Sequence, residues 1–225
     1  MATVVDLEKA ARVLEPEQRV VIRDVDWDGY ETLLRIVGDG HVRLAYDGSD
    51  VELMSSSFPH ERFKVLISSL IHTLTLELNV PCNGLGSTTW RKLSAGKGLE
   101  ADACFYLANC QRIVGKREID LTIDPPPDLA IDVEISPASL DRMSIYAALG
   151  VPEVWRFDGE RLTIEQLRAD GTYAAVPVSP GLPMLPAAVV VRWIRLEETM
   201  SSDTEWARRF RDWVRAELLP GREGR

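Results

Sequence analysis

The chain has 225 residues, of which 45% are hydrophobic and 27% are charged, and its formal net charge is −9. These values are typical of a globular chain that can bury one sizeable core. The acidic balance disfavours non-specific binding to polyanions, because counterion release requires clustered Lys and Arg. It does not exclude a site that binds cations, and an acidic protein that handles phosphodiesters would need metal ions between itself and the phosphate.

No apolar run approaches the roughly 18 residues of a membrane span, so we expect no membrane partner. The first residues lack a basic segment followed by an apolar one, and no signal peptide is therefore predicted. Cys82, Cys104 and Cys110 have no CxxC spacing. Three single thiols in a chain without an export signal favour a reducing, cytoplasmic location.

The N-terminal third of the chain predicts helices around one hairpin. Two helical pieces are expected at 7–14 and Trp27–Val37, with a short extended stretch at 19–22 between them. Two strands then flank Asp47-Gly48, a strong signal for a hairpin turn. Ser57 and Pro59 predict the start of a long helix with apolar residues at i, i+3, i+4, i+7 spacing, ending near residue 79.

The middle of the chain predicts three strands and a helix. One strand is embedded in the Gly/Ser/Thr-rich residues 85–95, and the next, ADACFYL, places Glu100, Asp102, Cys104 and Tyr106 on one side. The stretch DPPPDLAIDVEIS, residues 124–136, alternates apolar and polar residues, which is typical of a strand. Ser136 is then expected to cap a helix that runs to residue 149.

The C-terminal part predicts a second hairpin around Asp158-Gly159, an edge strand at 173–178 and a terminal helix. The helix carries one apolar stripe, made of Trp206, Phe210, Trp213, Val214 and Leu218. Helices and strands in this order predict a mixed α/β domain whose central sheet lies against the long helix.

Four carboxylates interrupt apolar strands. Asp132 and Glu134 are two residues apart on one strand, so their Cβ atoms are expected about 7 Å apart on one face. Asp102 and Glu52 lie in two other strands. Carboxylates that converge at one sheet edge repel each other, and a hard cation such as Mg²⁺ would remove this conflict. The alternative is that each carboxylate is solvated or paired with an arginine.

Several motifs in order carry a family resemblance. They are LAYDGSDVELMSSSFPHERF, GLEADACFYL, IDPPPDLAIDVEIS and IYAALGVPEVWRFDGERLTIEQL, followed by the terminal FRDWVR. The chain resembles the Uma2 family of restriction-endonuclease-like proteins, assigned to the PD-(D/E)xK nuclease superfamily. The resemblance implies an α/β fold with a restriction-endonuclease-like core, a central mixed sheet flanked by helices. Residues 1–40 would form an N-terminal helical extension, and 41–225 a single domain with a C-terminal hairpin and helix.

The resemblance also implies roles for individual residues. Asp102 matches the aspartate of the PD pair, although Ala101 replaces the proline, and Asp132 matches the acidic residue of (D/E)xK. Glu52 matches the acidic residue of the first hairpin. These three carboxylates would hold Mg²⁺ or Mn²⁺, which would lower the pKa of a bound water and stabilise charge on the scissile phosphate.

The main departure from the superfamily pattern is the missing lysine. Glu134 stands in its place, where it would ligate the metal or orient the water. Arg142, in the following helix, is the candidate phosphate contact, but arginine cannot readily act as a base because its pKa exceeds 12. His60 and Glu61, at the start of the long helix, match a recurring family feature, and a structural role for His60 remains the alternative.

Three functions follow as hypotheses. The first is a Mg²⁺- or Mn²⁺-dependent endonuclease acting on DNA. The second is a catalytically degenerate member that binds nucleic acid or a protein partner without cleaving, which the missing lysine and the acidic charge favour. The third is a structural interaction protein. A homodimer is compatible with the resemblance, because nucleases of this superfamily commonly work as dimers.

Overall fold

The computed structural model describes residues 17–38 and 40–219, so the helix expected at 7–14 lies outside the described residues. Within them, the helices are α1 (Trp27–Val37), α2 (Phe58–Glu77), α3 (Arg142–Leu149), α4 (Ala187–Leu196) and α5 (Asp203–Glu217). The strands are β1 (Gln18–Ile22), β2 (Val42–Tyr46), β3 (Val51–Ser55), β4 (Asn83–Lys92), β5 (Lys97–Tyr106), β6 (Leu129–Val133), β7 (Glu153–Phe157), β8 (Leu162–Leu167) and β9 (Tyr173–Val176).

These strands form one mixed sheet in the order β1-β3-β2-β5-β6-β7-β8-β9, with β4 paired to β5. Strands β6 and β7 are parallel and are connected through α3, whereas the other registered pairs are antiparallel. The mixed α/β architecture is the predicted one and is consistent with a restriction-endonuclease-like core. Strand β1 belongs to the segment expected to be a helical extension, and it adds a strand to the sheet.

The long strand β5 organises the centre of the sheet. Strand β4 runs along one of its edges from Lys97 to Tyr106. The other edge is shared, because β2 pairs with Gly98 and Leu99 while β6 pairs with Ala103 to Phe105. The residues between these two ladders, 100–102, are registered with neither β2 nor β6. We call this break the fork.

A β-bulge lies at the fork. Thr88 pairs with Ala101 and Gly86 with Cys104, so Asp102 and Ala103 together oppose the single residue Ser87. The bulge breaks the alternation of side chains. Ala101 and Cys104 therefore share one hydrophobic cluster, while Ala103 belongs to another. The prediction that Glu100, Asp102, Cys104 and Tyr106 share one side of the strand was wrong for this reason.

The core consists of three hydrophobic clusters. The largest packs α2, α4 and α5 against β6, β7 and β8, and its members include Leu70, Ile131 and Trp155. A second cluster lies under α3, and a third lies between α1 and the β2–β3 hairpin. Helices thus pack against both faces of the sheet, as expected for an α/β domain.

Two other elements differ from the sequence prediction. Strand β6 ends at Val133, so Glu134 lies beyond it, and α3 begins only at Arg142 with Asp141 as its N-cap. Ser136 does not cap a helix because its amide and its hydroxyl both bind Glu17. Helix α4 was not predicted, and it begins after Pro186 without a capping side chain, so the usual start signal is missing.

Both predicted hairpin turns are present, and each uses its glycine in a conformation that other residues rarely adopt. The φ angle is 104° at Gly48 and 97° at Gly159. The bounds of α1 and the apolar stripe of α5 were also predicted correctly. Among residues 17–38 and 40–219, no helix combines the length and the apolar character that crossing a membrane requires.

Helix α2 offers a direct test of this packing. Leu70 is fully buried in the largest cluster, while Leu76 on the same helix is 77% exposed. We expect Leu70→Ala to lower the free energy of unfolding by about 2–5 kcal/mol, because it leaves a cavity. Leu76→Ala should change it by less than about 0.5 kcal/mol. Urea denaturation followed by circular dichroism measures both, and equal effects would contradict the described burial.

Candidate functional site

Asp102 lies at the bulge, fully buried, and both of its oxygens have partners. Its Oδ2 accepts a hydrogen bond from the backbone N–H of Val133, at 2.6 Å, which ties β5 to the end of β6. Its Oδ1 lies 3.0 Å from Nε2 of His60 and forms an ion pair with Arg43. A buried carboxylate with partners at each oxygen is satisfied in the folded protein.

His60 lies in the first turn of α2 and bridges two carboxylates. Its Nε2 faces Asp102, and its Nδ1 lies 2.9 Å from Oε1 of Glu17. Arg43 also approaches Nε2, at 2.9 Å. The imidazole is completely buried. Its contacts link Glu17, α2 and the fork in one polar network.

Asp132 has a different partner, on the side of the sheet covered by α3. Its two oxygens accept from Nε of Arg142 at 3.0 and 3.1 Å, and Nη2 lies 2.8 Å from Oδ1. Arg142 also donates to the backbone carbonyl of Glu100 at 3.2 Å. Burial alone would lower the pKa of Arg142, but the charge of Asp132 reverses this and leaves the pKa raised. Arg142 therefore neutralises Asp132.

Glu52 is also buried and paired. Its Oε1 accepts from Nη1 of Arg19 at 2.7 Å, which connects β3 to β1, and its Oε2 accepts from the backbone N–H of Ser139. Glu134 is the most exposed of the four predicted carboxylates. It accepts from the backbone N–H of Ala138 at 2.8 Å and pairs with Arg156 at 3.1 Å.

The four predicted carboxylates thus lie around the fork, but each has its own basic partner. Within residues 17–38 and 40–219, no three Asp, Glu, His or Cys side chains form a group that could hold a metal ion. Asp102 comes just before Ala103 on β5 and Asp132 just after Ile131 on β6, so both lie next to the Ala103–Ile131 pair, yet they bind Arg43 and Arg142 respectively. The donor atoms have the right chemistry for Mg²⁺, but this arrangement does not fit the ion, because guanidinium groups occupy the carboxylates.

The sequence prediction missed two residues that complete this network. Arg43, on β2, pairs with Asp102 and lies 2.5 Å from Oε1 of Glu61. Glu17 binds His60 and the chain just after β6. Arg43 carried a usable signal, because a basic residue inside the short apolar strand VRLAY needs a buried partner. Glu17 carried none, because it lies before the first strand.

A cleft of about 660 Å³ opens beside the fork. Arg43 and Lys64 contribute basic groups to it, Glu61 and Glu100 contribute carboxylates, and the hydroxyl groups come from Ser56, Ser87, Thr88 and Thr89. Burial raises the pKa of Glu100, although Arg43, Lys64 and Arg142 oppose this shift. Burial also acts to raise the pKa of Glu61, but hydrogen bonds from Lys64 and Ser56 bring it down to about 2.

The arginines of the terminal helix α5 mostly have acidic partners. Arg209 pairs with Glu205 at 2.7 Å along α5, and Arg215 pairs with Glu77 of α2 at 2.6 Å. His72 is exposed, with its ring edge against Phe105. The fork, where buried charged residues from β2, α2, β5 and β6 meet, is the better candidate for a functional site.

The Asp132–Arg142 pair predicts a measurable coupling. We expect Asp132→Ala to lower the free energy of unfolding by about 3–5 kcal/mol, because it leaves Arg142 buried without its counter-charge. The double variant with Arg142→Ala should cost less than the sum of the single variants, by about 1–3 kcal/mol. The exposed Arg23–Asp50 pair is the control, with a coupling below about 1 kcal/mol. Urea denaturation of the single and double variants of both pairs measures the two coupling energies. Equal coupling energies would contradict the buried pairing.

Glu17 predicts a dependence of stability on acid pH. Burial raises its pKa, but hydrogen bonds from His60, Ser136 and the backbone at Ile135 lower it from 4.5 to about 2. Because the folded-state pKa is the lower one, the ionised group stabilises the fold above pH 4.5, and this contribution is lost as the pH falls toward 2. It amounts to at most about 3 kcal/mol.

Unfolding free energies measured between pH 6 and 2 should therefore fall less steeply for Glu17→Gln than for the wild type. Glu31→Gln, at a surface ion pair with Arg91, serves as the control and should keep the wild-type slope. A wild-type slope in Glu17→Gln as well would show that Glu17 does not carry this dependence.

Comparison with known protein families identifies the family of this chain. Residues 27–197 match the family described as "Uma2: Putative restriction endonuclease", a span that includes α1 to α4 and all of the fork strands. No curated protein matches the chain. Because the matched span is more than half of the sequence, the chain belongs to the Uma2 family of restriction-endonuclease-like proteins.

Proposed function

We propose that this chain is a nuclease-family protein that binds the phosphodiester backbone of DNA at the fork and does not cleave it while its acidic residues are paired as described. The observation that carries the proposal is the pairing itself. Glu52, Asp102 and Asp132 are each no more than 2% exposed, and each forms an ion pair with an arginine. A carboxylate in such a pair does not offer itself to a metal ion or a substrate without rearrangement.

The cleft beside the fork supports binding. Phosphate groups are contacted by Lys and Arg and by Ser and Thr hydroxyls, and the cleft provides both kinds of group. Lys64 reaches into it and donates to Ser87 at 3.2 Å. Since the chain as a whole is acidic, binding is expected to be local and modest, with few phosphate contacts and a shallow salt dependence.

A metal-dependent endonuclease is the second candidate, and two observations favour it. Asp102 precedes Ala103 on β5 and Asp132 follows Ile131 on β6, and because these strands are antiparallel the two acidic residues lie at the same end of that ladder. The residue in the lysine position, Glu134, is partly exposed. For this candidate, Asp132 and Asp102 would have to release Arg142 and Arg43 before they could hold Mg²⁺ or Mn²⁺. This rearrangement separates the second candidate from the first.

Binding and cleavage are tested side by side. Fluorescence anisotropy with a labelled DNA duplex at low salt should show binding by the wild type, about tenfold weaker for Lys64→Ala, since one charge-assisted contact is lost. Arg209→Ala, which removes the same charge from α5, is the matched control and should bind like the wild type. The proposal would be contradicted if the wild type did not bind the duplex, or if Lys64→Ala bound it as tightly as the wild type.

Plasmid DNA incubated with the wild type and Mg²⁺ or Mn²⁺ should remain uncut. Metal-dependent cutting that disappears in Asp102→Asn would instead establish the second candidate. Asparagine keeps the size of the side chain, so circular dichroism of this variant can separate a lost reaction from a lost fold.

A further inference from the structure

The carboxylate of Glu17, a residue outside the quoted family motifs, occupies a built anion site. Its Oε1 accepts from the backbone N–H of Ile135 at 2.8 Å and lies 2.9 Å from Nδ1 of His60. Its Oε2 accepts from the backbone N–H of Ser136 at 2.7 Å and from the hydroxyl of the same residue. Nη2 of Arg19 lies 3.9 Å from Oε2. The side chain of Glu17 is completely buried in this anion site, which we call the seat.

The groups that form the seat are those that bind phosphate. Two successive backbone N–H groups form a concave anion-binding nest, and a hydroxyl and a basic group complete it. In the seat these are the N–H groups of Ile135 and Ser136, the Ser136 hydroxyl, the His60 ring and the Arg19 guanidinium. The two carboxylate oxygens of Glu17 accept the hydrogen bonds of the seat. A phosphate group has more oxygens than a carboxylate, so it could accept the same hydrogen bonds.

The position of the seat connects it to the fork. Ile135 and Ser136 follow β6 directly, and His60 links the seat to Asp102. A cleft of about 400 Å³ adjoins the seat and is lined by Glu134, Ile135, Pro137, Arg156 and Arg161 among others. A chain of phosphates bound at the seat would therefore meet further basic groups.

The residue that fills the seat comes from a different part of the chain than the seat itself. Glu17 precedes the family span, which begins at residue 27, whereas His60, Ile135 and Ser136 lie inside that span. The span shared with the family thus provides the hydrogen-bond donors at 135, 136 and 60, and the preceding segment provides the anion and Arg19.

We propose that the seat is a phosphate subsite of the fork, and that Glu17 fills it as an internal substitute for the phosphate. The assignment of that phosphate to a DNA backbone rests on the proposed function, whereas a free phosphate ion would use the same donors. A purely structural clamp is the competing explanation, and it predicts that the seat has no affinity for an added anion.

The test is thermal unfolding of Glu17→Ala in increasing inorganic phosphate, with chloride at matched ionic strength as the reference anion. Truncation empties the seat, so phosphate should raise the melting temperature of this variant in a saturable manner, by mass action on the folded state. The wild type and Glu31→Ala, which loses an equal charge at the surface, should show no more than the general salt effect. Adding Ser136→Ala to Glu17→Ala should weaken the phosphate response.

If Glu17→Ala is unfolded in phosphate-free buffer, the same titration is followed as recovery of the native circular dichroism signal, and recovery supports the subsite equally. No phosphate-specific stabilisation or recovery in Glu17→Ala overturns the subsite and leaves Glu17 a structural clamp.

DNA binding by the same variants separates this inference from the proposed function. Tighter binding of the duplex by Glu17→Ala than by the wild type, with competition by phosphate, supports the assignment to the DNA backbone. A phosphate response without any change in DNA binding supports a free-phosphate site and overturns that assignment. Failure of the wild type to bind DNA refutes the proposed function alone, because the phosphate titration does not depend on it.

Discussion

The pairing of buried carboxylates with arginine side chains and other hydrogen-bond donors is the constraint on which the centre of this protein depends. A charge removed from water is tolerated only with a partner that restores most of its hydration energy. At the fork, Asp102 obtains this from Arg43, His60 and the amide of Val133, and these contacts join β2, α2, β5 and β6. Asp132 joins β6 to α3 in the same way. The polar centre therefore also holds the sheet and its helices together.

The same pairs restrict what the site can do. Metal-dependent hydrolysis requires carboxylates that are available for metal ions, but here guanidinium groups occupy Asp102 and Asp132. Glu134, which the resemblance matches to a lysine position, is acidic and is itself paired with Arg156. The charge of Asp132 raises the pKa of Arg142, so Arg142 stays charged. It therefore serves as the counter-ion of Asp132 and not as a base. The chain thus combines membership of a family of restriction-endonuclease-like proteins with an acidic centre whose carboxylates are held in ion pairs.

Local patterns predicted much of the fold because they are caused by local physics. The alternation in LAIDV, the Asp-Gly turns and the apolar stripe of α2 each reflect the burial of one face. The contacts of the site were less accessible, because Arg43 with Asp102 and Glu17 with His60 join residues that are 59 and 43 positions apart. The face of Asp102 was mispredicted because both faces of β5 are buried around the bulge, so no alternation of polar and apolar residues marks it. The start of α3 was misplaced because Ser136, a good capping residue, is held by Glu17.

The bulge at Asp102 and Ala103 makes the fold sensitive to the number of residues in β5. The strand contains one residue more than its partner β4 between Ala101 and Cys104, and this extra residue separates two ends with opposite facing patterns. Deleting one residue there would restore strict alternation, so that either the β2 end or the β6 end of the strand would present the wrong side chains to its core cluster. Spacing across the fork is thus as restrictive as residue identity, and a change of length at this point would disrupt the domain more than most substitutions.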